Sequence, residues 1–330
     1  MNRLIWNKNE SFFIKLTSIF IFIYSESAIS ACIQNPRLNN LIVNVPSRTY
    51  TIQYDDASTK ELGRLVVKFA NGNINTYSGT NGQCGRARLY ASYVNGWVPN
   101  GNKVSATNIP GISVEIVATA IGSINVYSRY PIQGRLPWTI VAPQWTMIIR
   151  KTGAVTQSGS LKAGHVAKLI QDNPNHINWN LSSLNIPANA IRINVAKCTV
   201  KSSSYTVNLG TWYDTQFKGI GSVSSNVSIP VTLNCAAGTN IKTTVTSSAG
   251  YVDTATGKIK LAGTGSATGI AIQLLDRNNS PIRLNTKNTL QNGVASGDYN
   301  FNWKARYIKT AEKVTPGTAN ATATVNIRYE

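Results

Sequence analysis

A chain of 330 residues is long for one hydrophobic core and comfortable for two. Its apolar content of 42% is ordinary and speaks against disorder or a polytopic membrane protein, and with only 14% charged while Ser, Thr, Asn and Gly abound it suits an all-β protein better than a helical enzyme. The formal charge of +19 is spread: residues 32–195 hold 15 basic against 5 acidic side chains and residues 196–330 hold 14 against 6. A spread positive charge draws acidic partners, and it also simply keeps a secreted chain soluble.

Arg3, Lys8 and Lys15 precede the apolar run Leu16–Tyr24, and small residues follow at Ala28 and Ser30. This pattern predicts a secretory signal peptide over residues 1–30; its apolar run is too short to span a bilayer. The stretch Ile29-Ser30-Ala31-Cys32 also fits a lipoprotein cleavage box. Lipidation of Cys32 would leave Cys84 a lone thiol in an oxidising space. The four cysteines fall two and two, which favours Cys32–Cys84 and Cys198–Cys235.

Beyond the signal no stretch sustains a helical period; the nearest, Leu161–Ile170, is weakened by Gly164. Strand-like runs dominate instead: 40–45, 48–54, 64–69, 86–94, 112–119, 123–130 and 145–153. Gly, Asn and Pro punctuate them, as turns require. The grammar continues in "YTVNLG" (205–210), "VSIPVTLNC" (227–235), "IKTTVTS", "GIAIQLLD" and "SGDYNFNWKARYI". It closes on Ala321, Ala323, Val325, Ile327 and Tyr329, apolar or small at every second position. The reading is two β-sandwich domains, 31–195 and 196–330.

Residues suited to catalysis are scarce. His165 and His176 stand 11 apart in turn-like surroundings, and no metalloprotease, nucleophile-elbow or phosphate-loop pattern occurs. "YDDAS", with Asp55 and Asp56, reads as a turn. Cysteine spacings lack the paired hooks of a zinc site. No enzyme, metal or cofactor is expected. For recognition, Trp97 and Trp138, flanked by Gly, Pro and turn residues, are candidates to stack on a sugar or an aromatic side chain, with Tyr127 and Tyr130 nearby. Core packing is the competing role for each, and it is favoured for Trp145. Arg86 and Arg88, two apart on one strand face, would supply directed hydrogen bonds to an acidic ligand.

"CTVKSSSYTVNLGTW…FKGIGSVSSNVSIPVTLNC", "GIAIQLLD", "NFNWKARYIKT" and "VTPGTANATATVNIRYE" together resemble the pilin domain of chaperone–usher fimbriae over residues 196–330. Gly317 and the penultimate Tyr329 stand where that family's closing motif has them. The resemblance implies an incomplete immunoglobulin-like sandwich lacking its last strand. Ala323, Val325, Ile327 and Tyr329 would then line a groove that a periplasmic chaperone, and afterwards the next subunit, fills by strand addition at an outer-membrane usher. In the first half, "NKVSATNIPGISVEI" and "IIRKTG" resemble the receptor-binding domain of two-domain tip adhesins, most of all the type 3 fimbrial adhesin. The implied role is a tip adhesin on the bacterial surface, binding a host glycan or matrix protein and no nucleic acid. A minor tip or adaptor subunit without a receptor is the alternative.

Overall fold

A computed structural model describes residues 32–78, 87–119, 121–125, 128–129, 139–173 and 177–330. The signal segment, Cys84, Arg86, Tyr127, Tyr130, Trp138 and His176 lie outside these residues. Described residues hold strands and two single-turn 3-10 helices, Pro36–Leu38 and Asp214–Gln216, and no α-helix. The fold is all-β.

The principal strands of the first half are β1 (Leu41–Asn44), β2 (Arg48–Gln53), β3 (Lys60–Lys68), β4 (Arg88–Tyr93), β5 (Ile112–Ala118), β6 (Gln144–Lys151), β7 (Gly164–Asp172), β8 (Trp179–Ile186) and β9 (Ile191–Ala196). One sheet runs β1-β8-β7-β4, with Ser128–Arg129 at its edge. A second runs β3-β6-β5 and ends on Val104–Ala106, and a third joins Gly159–Ser160, β9 and β2. β1 lies parallel to β8 and β2 parallel to β9, while the others pair antiparallel. The one stretch with a trace of helical period, around Leu161–Ile170, lies mostly in strand β7; its partners on both sides override a weak local preference.

Central strands explain the first core. β6 alternates Trp145, Met147 and Ile149 inward, each fully buried, and pairs with β3 and β5 on its two sides. Trp145 has the packing role read for it, and its indole N–H donates to Ser182 Oγ at 3.0 Å, so the buried ring leaves no unpaired donor. Lys151 ends the same strand fully buried, and its ammonium donates to the Ser58 carbonyl at 2.6 Å. That contact satisfies part of a charge that would otherwise be costly inside. A single buried cluster runs from Leu38 to Val195.

A second buried cluster begins at Cys198. Its strands are β10 (Cys198–Val200), β11 (Thr232–Cys235), β12 (Thr239–Thr246), β13 (Ile270–Leu275), β14 (Asn288–Val294), β15 (Gly297–Asn300), β16 (Trp303–Lys309) and β17 (Thr324–Arg328). The sheets are β10-β11-β15, then Val227–Ile229 with β16-β13 and two short strands, then β14-β12-β17. Cys198 faces Cys235 across β10 and β11, and the two form a disulfide. Cys32 is also disulfide-bonded, and its expected partner Cys84 falls among the residues not described.

Candidate functional site

The closing strand carries the clearest unfinished surface. β17 sits at the end of its sheet and pairs with β12 alone among the described residues. Its Val325 and Ile327 are half-buried against the second core, with Thr324, Asn326 and Arg328 exposed. The sheet's hydrogen bonding shows which backbone groups are spare. The Val245 carbonyl accepts from Asn285 N–H at 2.8 Å, on the side of β12 away from β17. Val245 lies opposite Val325, so that pair is a non-hydrogen-bonded one. By alternation Val325, Ile327 and Tyr329 all aim their N–H and C=O groups at the free edge.

A second unpaired segment packs against the same core. Residues 204–209 lie in no strand, with Tyr205 and Val207 half-buried and Leu209 buried between exposed neighbours. "YTVNLG" was expected to be a strand; it has the period of two but joins no sheet. Its backbone makes no hydrogen bond to another backbone among the described residues. A cavity of about 600 Å³ opens between Asn208–Trp212 and Val314–Asn320, floored by Trp212, Phe217 and Tyr307. Gly317 is on its wall for a steric reason. A Cβ there would stand 2.4 Å from the Gly265 carbonyl oxygen and 2.5 Å from Ala267 N, both main-chain atoms that cannot step aside.

One residue assigned to the groove face, Ala323, departs from the burial of its neighbours. Ala323 precedes β17 and is exposed, while Ala321, Val325 and Ile327 of the same alternation are half-buried against the second core. Tyr329 keeps the face of Val325 and Ile327, half-buried against the second core, and also lies at the joint between the two halves. Its hydroxyl donates to the Cys198 carbonyl at 2.9 Å, and burial followed by the nearby Asp55 carboxylate pushes its phenol upward. Its main chain is held by Asp55: Tyr329 N–H donates to Asp55 Oδ2 at 2.8 Å, and Asp55 N–H donates to the Tyr329 carbonyl at 2.8 Å. Arg328 reaches Asp55 Oδ1 at 3.2 Å.

Beside this contact, the Gln53 amide donates to the Gly238 carbonyl and accepts from Asn240 N–H, both at 2.8 Å. Asp55 and Gln53 thus join the first half to both strands of the closing pair. The turn read in "YDDAS" is present, with Asp56 Oδ1 accepting from Ser58 N–H. Burial raises the Asp56 carboxyl, but hydrogen bonds from Lys60 and Ser58 and the charge of Lys151 outweigh it and hold the group well below the carboxylate range.

The recognition candidates fare differently. Trp97 follows a tight Asn95-Gly96 turn and is 7% exposed, packed into the first core. Its ring lacks the open face that stacking needs, so flanking turn residues did not imply exposure. Arg88 lies 2.9 Å from Asp172, so its charge is already engaged. Arg48 and Arg192, not singled out from sequence, line an open depression with Ser47, Thr49 and Asn189, of about 490 Å³. Neither guanidinium meets a carboxylate among the described residues. Their locator was the start of the parallel pair β2 and β9, visible only once those strands were placed side by side.

Several known proteins are similar to this chain. The family model described as "Fimbrial protein" matches residues 190–330. Fimbrial subunit type 1 of Salmonella typhimurium is 30% identical over 142 residues, covering 41% of this chain and 77% of that one. A fimbria adhesin protein of Klebsiella pneumoniae is 25% identical over 248 residues, covering 71% of this chain and 74% of that one, so the likeness extends well into the first half. Among solved structures, the receptor binding domain of the adhesin MrkD1P of Klebsiella pneumoniae aligns at 20% identity and a TM-score of 0.41, covering 51% of this chain and 98% of that one. The chain belongs to the fimbrial protein family.

Proposed function

We propose that this chain is a fimbrial tip adhesin: residues 196–330 take a strand from a partner protein, and residues 31–195 meet the host receptor. The observation that carries the reading is the free edge of β17, where Val325 and Ile327 are half-buried beside spare backbone groups. Residues 203–212 share that core, and their backbone bonds to no other backbone among the described residues. An extended segment with alternating apolar residues laid between them would satisfy both backbones and cover the apolar floor. One of its larger side chains would fill the cavity at Trp212 and Gly317. In assembly the donor is first the periplasmic chaperone and then, at the usher, the next subunit. A fragment of such a donor can be supplied in cis. Full-length protein carrying an alternating apolar segment after Glu330, through a flexible linker, is expected to be a stable monomer. Equal monomer yield without that segment overturns the reading.

The receptor side is an acidic host glycan or acidic matrix surface. All five acidic residues of 32–195 are in ion pairs, so that half's excess of cations is not neutralised from within. Arg48 and Arg192 stand near the beginning of β2 and β9; both strands run toward the joint, which places the arginines about 13–16 Å from it at about 3.3 Å per residue. Replacing both by Gln is expected to weaken retention on a sulfated glycan at low salt while leaving melting unchanged. Retention equal to wild type moves the receptor site elsewhere.

A further inference from the structure

We infer that Asp55, on the first half of the molecule, sets where an added strand must stop on the second half. This rests on the reading of β17 as a strand acceptor. Val325, Ile327 and Tyr329 present their backbone groups to the same edge, by the register of β17 against β12. Those of Val325 and Ile327 have no partner among the described residues. Those of Tyr329 have two: its N–H goes to the Asp55 carboxylate and its C=O to the Asp55 main chain, each at 2.8 Å. One aspartate thus offers the acceptor and donor that the next residue of a neighbouring strand would offer.

The stop is rigidly held. Asp55 follows Tyr54, whose N–H donates to the Ala196 carbonyl at 3.1 Å, and Asp56 N–H closes the turn on the Gln53 carbonyl. Gln53 fixes the same turn to Gly238 and Asn240 at the start of β12. Arg328 adds an ion pair to Asp55, but its side chain is 63% exposed, so that pair adds little holding power. A donor strand therefore has its full complement of bonds when its end lies opposite Ile327. Extension past that point meets occupied groups. A one-residue slip would turn its apolar side chains away from the core, and a two-residue slip toward Tyr329 would have to displace Asp55. The first half thereby fixes register, and so which partner side chain enters each position.

The test uses the full-length protein and a synthetic alternating Val–Thr peptide, in one form ending opposite Ile327 and in another two residues longer. In wild type the longer peptide is expected to bind no tighter. Asp55→Ala frees the Tyr329 N–H alone, because the main-chain N–H of residue 55 still holds the Tyr329 carbonyl, so the longer form can gain that one hydrogen bond and its affinity is expected to rise roughly fivefold. Asp55→Asn keeps a neutral acceptor and loses the charge, so it should behave as wild type. Amide exchange gives an independent readout. In the peptide-bound protein, Tyr329 should exchange fast only in Asp55→Ala with the short peptide, while Val325 and Ile327 stay protected in every variant. A gain from the longer peptide in wild type, or none in Asp55→Ala, overturns the role of Asp55. Failure of every peptide to bind or to protect Val325 and Ile327 overturns the acceptor reading beneath it.

Discussion

β6 and β17 are both apolar alternations, yet they end in different situations. β6 is flanked by β3 and β5 and buries Trp145, Met147 and Ile149 completely. β17 is flanked on one side only, and its inward residues Val325 and Ile327 stay half-buried. Apolar side chains left partly wet on an unpaired edge give up hydrophobic stabilisation and invite a neighbour. A cell can tolerate such an edge only if the neighbour is supplied. The difference teaches that incompleteness is local: the second core is well packed around Leu233, Ile241 and Phe301, each essentially inaccessible, while β17 leaves its edge open.

The most severe way to break the contrast is to put a charge on the open strip. Ile327→Asp places a carboxylate over the second core, where it has no cation to pair with once a donor strand covers it. Capture by a chaperone or a fused donor segment is expected to fail, seen as loss of soluble monomer. The same change at exposed Asn326 should be tolerated. If both variants are captured equally, the strip is not the binding floor.

A smaller effect is expected from the covalent staple of the same half. Cys198–Cys235 closes a loop of 37 residues, and its loss should cost roughly 2–5 kcal/mol. Cys198→Ala paired with Cys235→Ala should lower the melting temperature of the donor-fused protein and leave Tyr329 hydroxyl bonded to the main-chain carbonyl of residue 198. An unchanged melting curve would mean that the donor strand, rather than the disulfide, closes this core.

How much of this was legible in the sequence depends on the range of the interaction. The period of two at Val325 and Ile327 is local, and so is the alternation of Trp145, Met147 and Ile149; both could be read directly. Residues 205–210 show the limit of that reading, since alternation reports burial and says nothing about whether a partner strand is present. Trp97 shows another: a Gly-bounded turn fixes the backbone, while burial depends on strands far away in the chain. Ala323 shares the parity of half-buried Ala321 and Val325 yet is exposed, a difference that alternation alone does not reveal. The Asp55–Tyr329 contact spans 274 residues, and no local signal marks it. "YDDAS" read correctly as a turn, yet only its neighbour Asp56 does the turn's local work, which leaves Asp55 free for the joint.

The smallest expected effect separates the halves by pH. In the first half, Glu115 on β5 accepts from Ser123 Oγ and from Arg150, both at 2.6 Å. Burial pushes its carboxyl up, but these hydrogen bonds and the charges of Arg150 and Arg64 outweigh it, so the group lies below its usual range. A carboxylate depressed in the folded state contributes stability that is fully present above its unfolded value of about 4.3. That contribution is lost as pH falls from there through the folded value, as the unfolded chain takes up the proton first. The strip at β17 holds no comparable group on its inward face, since Val325 and Ile327 do not titrate. Glu115→Gln should therefore flatten the acid limb of unfolding of residues 32–195 below about pH 4.3, and leave donor-strand binding at β17 unchanged. Thermal unfolding followed at neutral pH and at acid pH, in the donor-fused protein, makes the comparison. An acid limb as steep in the variant as in wild type would show that Glu115 does not govern it.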